Sequence, residues 1–182
     1  MIARLVHLAR RLAYLGIRLF VGGVPAARFL GVSVGSDCRI YNRNFGSEPW
    51  LVRIGDRVTV TSGVEFITHD GSLWLMRDEQ GRRYRFAPIE IGNDVFIGVN
   101  VIVLPGVRVG SRVVIAAGSV ITKSVPNGVV VGGNPARIIM TFDEYRARVL
   151  TTHPASVKMV GASYREAVDR VVERDFRPEM TH

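Results

Sequence analysis

The sequence predicts an all-β solenoid, and three features of residues 91–121 carry that prediction. An aliphatic residue recurs at every sixth position, and we call these residues the leaders: Ile91, Ile97, Val103, Val109, Ile115 and Ile121. A second aliphatic or small residue follows each leader four places later, and glycine directly follows several leaders. A repeat of fixed short period indicates a solenoid, in which each rung stacks on the last and buries a column of equivalent side chains.

Neither an amphipathic helix nor a single strand explains the six-residue period. Six residues turn a helix by about 240°, so the leaders would not share a face. A strand would keep them on one side, but one strand of this length with so many glycines is unusual. The chain must therefore turn regularly, and the pairs Gly55-Asp56 and Gly92-Asn93 suit its corners.

The same period extends upstream, with two changes of phase. Ile54, Val60 and Phe66 form an earlier run, and Val34 with Ile40 fits the start of another. The gap between Phe66 and the next run is not a multiple of six, which predicts a large insertion there. A smaller insertion is expected in GSEPWLVR at 46–53.

Residues 89–139, IEIGNDVFIGVNVIVLPGVRVGSRVVIAAGSVITKSVPNGVVVGGNPARII, resemble the hexapeptide-repeat acyltransferases. The resemblance is to the branch of xenobiotic, maltose, nodulation-factor and exopolysaccharide O-acetyltransferases. The most specific part of the resemblance is GGNPARI after the AGSVITKSVP coil. The resemblance as a whole covers roughly residues 30–140. It implies a left-handed parallel β-helix with three hexapeptides per triangular coil, an exception to the usual crossover hand. It also implies a homotrimer with active sites between neighbouring subunits.

Three segments are therefore expected. An N-terminal helical segment occupies 1–28, the β-helix occupies 29–140 with a loop insertion at 67–88, and a helical tail occupies 141–182. A chain of 182 residues that is 47% hydrophobic suits one domain with a sizeable core. The single cysteine, Cys38, excludes an intrachain disulfide and favours a reducing cytoplasm.

Both flanking segments have helical spacing. The N-terminus, MIARLVHLARRLAYLGIRLFVGGVP, is neither a signal peptide nor a spanning helix because arginines at 4, 10, 11 and 18 interrupt its apolar runs. Its broad apolar face is expected to cap the open end of the solenoid, while the arginines leave open a peripheral contact with anionic lipid. In the tail, one helix is expected from Phe142 to Val149 and another from Val157 to Val171, after Pro154.

The large insertion begins at a polar cluster, Thr68-His69-Asp70-Gly71. His69 is the only histidine in the repeat region, because His7, His153 and His182 lie in the flanking segments. Acyl transfer to an alcohol needs a base for the hydroxyl proton, and imidazole suits that task. The family places its catalytic histidine at the mouth of this loop, so the resemblance implies that His69 is the general base. The alternative is a histidine satisfied by ordinary hydrogen bonds.

An imidazole base works better when an acceptor holds its other nitrogen. Asp70 and Glu65 are the nearby carboxylates, and a backbone carbonyl would serve equally. We favour Asp70 because an acidic residue directly after the histidine occurs in some relatives.

The acceptor is expected to be a hydroxyl of a sugar or saccharide intermediate. Trp74 and Trp50 could stack on a sugar ring or serve as packing, and Asn100 could hydrogen-bond the acceptor or the thioester. Arg77, with Arg82, Arg83 and Arg85, could meet a phosphate-bearing or acidic sugar in polysaccharide assembly, or could be a solvated loop edge. A soluble sugar or an antibiotic stays open.

The resemblance implies acetyl-CoA as donor and no metal. The small residues Ala117, Gly118 and Ser119, after Ala116, would let the pantetheine arm approach the backbone. Lys123 and Arg137 match the basic positions of the family and would bind the nucleotide phosphates.

Three other functions fit less well. A gamma-type carbonic anhydrase holds zinc with three histidines, and one lies on these repeats. A catalytically idle scaffold would not need His69. Nucleic-acid binding has only the net charge of +8 in its favour, without interleaved aromatic and basic positions. The prediction is therefore an acetyl-CoA-dependent O-acetyltransferase.

Overall fold

The computed structural model describes residues 2–179 of the chain. The helices are α1 (Ile2–Phe20), α2 (Gly23–Leu30), α3 (Phe142–Thr152) and α4 (Tyr164–Asp169), with 3-10 turns at Pro49–Leu51, Gly71–Leu75 and Ser156–Lys158. The strands are β1 (Ser33–Val34), β2 (Arg39–Ile40), β3 (Val52–Ile54), β4 (Thr59–Val60), β5 (Glu65–Phe66), β6 (Arg77–Asp78), β7 (Gly81–Arg82), β8 (Ile89–Ile91), β9 (Val95–Ile97), β10 (Ile102–Val103), β11 (Arg108–Val109), β12 (Val113–Ile115), β13 (Val120–Ile121), β14 (Val129–Gly133) and β15 (Ala136–Thr141).

The short strands form three parallel sheets, and the chain visits them in rotation. The sheet orders are β1-β3-β8-β11, β2-β4-β9-β12-β14 and β5-β10-β13, with β15 added antiparallel to β14. Among strands β8 to β13, β8 pairs with β11, β9 with β12 and β10 with β13, so each partner lies three strands further along. Ile91 pairs with Val109 and Val103 pairs with Ile121, eighteen residues apart in both cases. The prediction of parallel strands built from six-residue repeats is confirmed, with three repeats between paired strands.

The core is formed by the leaders and by the residues four places after them, which we call the followers. Ile97, Val103 and Ile115 are fully buried, as are the followers Val101 and Val113. Their side chains alternate with outward-facing residues because successive residues of a strand point to opposite faces.

One glycine shows how closely the turns approach one another. A Cβ at Gly98 would lie 2.5 Å from the backbone nitrogen of Ala117, which belongs to the next turn. A side chain at position 98 would therefore push two backbones apart, and the sequence places glycine there.

The first strands are covered by α2 and not by the apolar face of α1, which differs from the expected cap. Ala26 and Ala27 of α2 are buried, and Gly31, with a φ of 109°, caps the helix after Leu30. Small side chains let α2 approach the core, and the chain enters β1 almost directly after it. In α1, Tyr14 and Arg18 instead hydrogen-bond backbone carbonyls of residues 40–43.

The apolar face of α1 is exposed as a result. Its leucines share one side of the helix, away from Tyr14 and Arg18, and their exposed fractions are 59% for Leu5, 54% for Leu8, 61% for Leu12, 51% for Leu15 and 76% for Leu19. Of the helices within residues 2–179, none combines the length and apolar content that crossing a bilayer requires.

The chain divides into two compact units, one through Asp143 and one from Glu144. In the second unit the helix predicted from Val157 to Val171 is shorter than expected. Residues 156–158 form a 3-10 turn, and α4 begins only after Ser163, whose hydroxyl accepts a hydrogen bond from the Glu166 nitrogen. This capping serine starts a new helix and separates the two parts of the apolar pattern.

Candidate active site

His69 lies in the neck of the large loop, directly after β5. The Asp70 nitrogen donates to the Arg85 carbonyl at 3.1 Å, and the Ala87 nitrogen donates to the Thr68 carbonyl at 2.8 Å. His69 itself forms an antiparallel bridge with Phe86, whose ring centroid lies 5.9 Å from that of His69. The imidazole is therefore held on paired backbone where the loop leaves the repeats, and not at the tip of the loop.

A carboxylate from the smaller insertion contacts this imidazole. Glu48 Oε2 lies 2.9 Å from His69 Nδ1 and accepts a hydrogen bond from Thr68 Oγ1 at 2.6 Å. The Glu48 side chain is 15% exposed, whereas that of His69 is 41% exposed. Glu48 is thus the inner member of the pair, and His69 is the member that solvent or a ligand can reach.

The surroundings keep Glu48 ionised. Burial by itself raises the pKa of this carboxyl, but the hydrogen bonds from Thr68 and His69 and the charge of His69 outweigh it, so the pKa lies below its ordinary value. An ionised carboxylate can only accept hydrogen bonds. A neutral His69 therefore carries its proton on Nδ1 and leaves the Nε2 lone pair for another group.

The expected orienting residues are engaged elsewhere, which corrects the choice of Asp70. The Asp70 carboxylate accepts from the Ser72 nitrogen at 3.0 Å and from the Ser72 hydroxyl at 2.6 Å. These bonds cap the 3-10 turn at Gly71–Leu75 and lower the pKa of Asp70. Glu65 accepts from the Asn44 amide at 3.2 Å. Asp70 follows His69 in the sequence, but its carboxylate does not contact the His69 ring.

The sequence does contain a signal for Glu48. Val34 pairs with Ile54 and Ile40 with Val60, twenty residues apart in both cases. The same offset places residue 48 beside residue 68, one position before His69. The contact between residues 48 and 68 could therefore be predicted from the phase difference between the first two runs of the repeat, if the turns are assumed to stack in register.

The loop folds over this pair and encloses a cavity of about 230 Å³, lined by Glu48, His69, Asp70, Arg82, Tyr84, Arg85 and Phe86. Strands β6 and β7 pair as a small hairpin, which contributes Arg82 to the cavity wall. Trp74 lies beside the cavity, with the guanidinium carbons of Arg77 and Arg82 at 4.3 and 4.8 Å from its ring centroid. Two cations thus contact the indole that is expected to stack on a sugar.

Asn100 occupies a corner of the coil. Its φ is 57°, its nitrogen donates to the Ser62 carbonyl at 3.2 Å, and its amide oxygen lies over Gly63. The asparagine suits this left-handed corner conformation, which explains its presence without a ligand.

The predicted donor-binding residues lie on a different part of the chain. Lys123 and Arg137 line one cavity of about 430 Å³, between the turn after β13 and the hairpin of β14 with β15. Ala117 and Gly118 are exposed in the turn between β12 and β13. The structure thus brings His69 and Asp70 together in one cavity, and Lys123 and Arg137 in another.

Ser119 differs from its neighbours because its side chain is fully buried. Its hydroxyl donates to the Ala116 carbonyl at 2.6 Å and accepts from the Gly133 nitrogen at 3.2 Å. The hydroxyl therefore connects the turn after β12 to the β14–β15 hairpin, and is not directed toward a ligand.

The part of the chain between residues 2 and 179 contains no group of three or more His, Cys, Asp or Glu side chains in positions to hold a metal ion.

Comparisons with known proteins agree with this arrangement of strands and site. The family model described as bacterial transferase hexapeptide (six repeats) matches residues 88–123. Protein CapG of Staphylococcus aureus is 52% identical over 126 residues, which are 68% of this chain and 73% of CapG. The galactoside O-acetyltransferase of Escherichia coli is 36% identical over 119 residues, 62% of this chain and 58% of that enzyme.

Among solved structures, a hexapeptide-repeat acetyltransferase from Vibrio cholerae, crystallised with acetyl coenzyme A, matches with a TM-score of 0.55 and 26% identity. The match covers 73% of this chain and 85% of that one. The chain belongs to the hexapeptide-repeat acyltransferases, and the resemblance found in its sequence is confirmed. The prediction that it is an enzyme of the acyltransferase class is confirmed with it.

Proposed function

We propose that this protein moves an acetyl group from acetyl-CoA to a hydroxyl of a sugar or saccharide intermediate, with His69 as general base. The observation that carries the proposal is the His69 imidazole, held through Nδ1 by an ionised carboxylate and exposed at the rim of a cavity. The proposal is supported by the Vibrio acetyltransferase, which binds acetyl coenzyme A, and by the Escherichia coli relative, which acetylates a galactoside oxygen.

The chemistry requires one proton to move twice. Nε2 of His69 takes the proton of the acceptor hydroxyl as the oxygen attacks the thioester carbonyl carbon, so that a C–O bond forms. The tetrahedral oxyanion is stabilised by a backbone N–H donor. Its collapse breaks the C–S bond, and the imidazolium returns the proton to the sulfur of coenzyme A. Glu48 acts through His69 as a positioning residue, fixing the ring and stabilising the imidazolium.

Donor binding is assigned to the second set of residues. Ala117 and Gly118 would let the pantetheine arm run close to the backbone, and Lys123 with Arg137 would bind the phosphates of the nucleotide. The support is that both cations line one cavity, with the small exposed residues on the neighbouring turn.

A homotrimer of left-handed β-helices completes the proposal, with residues 29–140 as the β-helix between an N-terminal helical segment at 1–28 and a helical tail at 141–182. On one chain, His69 and the cations Lys123 and Arg137 line different cavities, which favours an active site shared between neighbouring subunits. Large apolar side chains that are partly exposed on the repeats would supply the contact: Ile67, Phe96, Val99, Ile138 and Ile139.

Thiol release from acetyl-CoA in the presence of a sugar panel tests the activity. We expect His69→Ala to lower turnover by roughly 10² or more while light scattering still shows the trimer. Unchanged turnover in this variant would remove His69 from the role of base. If the wild-type protein released no thiol with any acceptor, the non-catalytic scaffold would become the better interpretation.

We also propose that α1 rests on an anionic lipid surface. The helix carries arginines at 4, 10, 11 and 18 and no acidic residue. Tyr14 and Arg18 attach one side to the repeats, and Arg10 and Arg11 line a cavity together with Tyr14, so the leucine side faces outward from a helix with net positive charge. Amphipathic helices with this distribution bind the interface of anionic membranes.

A further inference from the structure

The cavity of His69 contains a cation that proton transfer does not use. The guanidinium carbon of Arg82 lies 4.8 Å from the ring centroid of Trp74 and 4.5 Å from that of Tyr84. Its backbone belongs to β7, which pairs with β6 through Arg77. Two aromatic contacts and a paired strand therefore hold the guanidinium in place at the wall of the cavity.

The hydrogen-bonding capacity of this guanidinium is incompletely used. Its Nε is shielded from solvent and has no hydrogen-bond partner within residues 2–179. The acidic residues in the wall are engaged elsewhere, Glu48 by Thr68 and His69 and Asp70 by Ser72. A buried donor without a partner is uncommon in proteins and requires an explanation, and one explanation is an anion that pairs with the group when bound.

We propose that Arg82 binds an anionic group of the acceptor, a carboxylate or a phosphate, and that the acceptor is therefore an acidic saccharide. This inference rests on the proposed function. Aromatic rings pack against the faces of the guanidinium, so its N–H groups are left at the edge, where they match the paired oxygens of such anions. Because Arg82 and His69 line one cavity, an acceptor held at the first presents a hydroxyl to the second.

The neighbouring arginines strengthen the attraction without occupying the same position. Arg77 contacts the indole, and Arg85 lines the cavity. Arg83 contacts Asp78 and donates to the Gln80 side chain at 3.3 Å. The loop therefore presents an excess of positive charge to an approaching anion, while Arg83 offers a matched control because its charge is already paired.

Two competing roles for Arg82 predict different results. If the residue only clamps the loop, charged and neutral sugars should bind alike. If it binds a phosphate of coenzyme A, its loss should weaken donor binding and leave acceptor binding unchanged.

Fluorescence of Trp74 distinguishes these roles without any turnover. The chain has two tryptophans, so a Trp50→Phe background leaves Trp74 as the reporter beside Arg82. The protein is titrated with methyl β-D-glucuronide, which carries a carboxylate, with glucose 6-phosphate, and with neutral methyl β-D-glucoside. We expect saturable quenching by one or both anions and none by the neutral sugar, and the two anionic arms identify the preferred group.

Substitutions in the same background complete the test. Arg82→Gln should weaken binding of the anion at least tenfold. Arg82→Lys should weaken binding less because the charge is kept, and Arg83→Gln should bind the anion as the parent does. Equal quenching by charged and neutral sugars, no saturable quenching by either anion, or equal effects of Arg82→Gln and Arg83→Gln would each overturn the proposal. Melting temperatures and the KM for acetyl-CoA should match among the variants, and a raised KM in Arg82→Gln alone would assign the site to the donor. Since the fluorescence readout needs no acetyl-CoA, failure of the proposed transfer reaction would leave it interpretable.

Discussion

His69 Nδ1 lies 2.9 Å from Glu48 Oε2, although the two residues come from different interruptions of the repeat. One turn of the coil separates them along the chain, and stacking of the turns brings them together. The site is therefore a product of the register between turns, and substitutions at the two positions should be coupled.

Glu48→Gln is expected to lower kcat by about ten- to a hundredfold and to leave the KM for acetyl-CoA unchanged. The amide keeps the size of the side chain but removes the charge that stabilises the imidazolium and fixes the proton on Nδ1. Steady-state kinetics with a sugar acceptor gives the separate effects on kcat and KM.

Two isosteric substitutions serve as controls for that measurement. Asp70→Asn and Glu65→Gln each remove one carboxylate charge near His69, but these carboxylates bond Ser72 and Asn44. Both should retain a kcat within about threefold of wild type, because neither side chain fixes the His69 ring. An Asp70→Asn variant as impaired as Glu48→Gln would return the orienting role to Asp70.

The lowered pKa of Glu48 makes a prediction for acid stability. A carboxyl whose pKa is lower in the folded than in the unfolded state stabilises the fold above its unfolded pKa, about 4.3, and loses that contribution as pH falls through the folded value. The melting temperature of Glu48→Gln should therefore lie below that of wild type by a constant margin above about pH 5, and the margin should shrink as the pH falls below the unfolded pKa. A gap that widens with acidification would contradict the assignment of an ionised Glu48.

Substitutions of one leader measure how tightly the core is packed. Ile97 is fully buried, so Ile97→Val should cost about 0.5–1.5 kcal/mol and Ile97→Ala about 2–5 kcal/mol, the larger value reflecting the cavity left behind. Urea unfolding at one fixed protein concentration gives both values, since association between subunits would make stability concentration-dependent. Equal costs for the two variants would indicate that the turns collapse around position 97.

The repeats could be predicted from sequence because each rung contacts only its neighbours. Ile97 recurs as Val103 and Val109, and the stacking that buries them follows from the period itself. Glu48 was missed because its contact with His69 depends on the twenty-residue offset of the first turns, which the sequence displays only as a change of phase.

The N-terminal helix shows a second kind of limit. Leucine periodicity predicts that α1 has an apolar side, but it does not say what covers that side. The first strands are covered by α2 because the small side chains of Ala26 and Ala27 let this helix approach closely. Arg18 and Tyr14 then fixed the rotation of α1 through bonds to backbone carbonyls, which no hydrophobic pattern records.

The rotation of α1 leaves its leucine side exposed, and we expect this side to bind lipid. Leu12 and Leu19 are 61% and 76% exposed, so the double variant Leu12→Ser/Leu19→Ser should fold and should lose most of its binding to vesicles rich in phosphatidylserine. Wild type should sediment with these vesicles, much less with phosphatidylcholine alone, and less as salt is raised, because the arginines act through screened charge. Leu150→Ser, at an exposed leucine of α3, is the matched control and should bind as wild type does. If the double variant instead changed the oligomeric state and left vesicle binding intact, the leucine face would be a contact between subunits and the lipid proposal would be wrong.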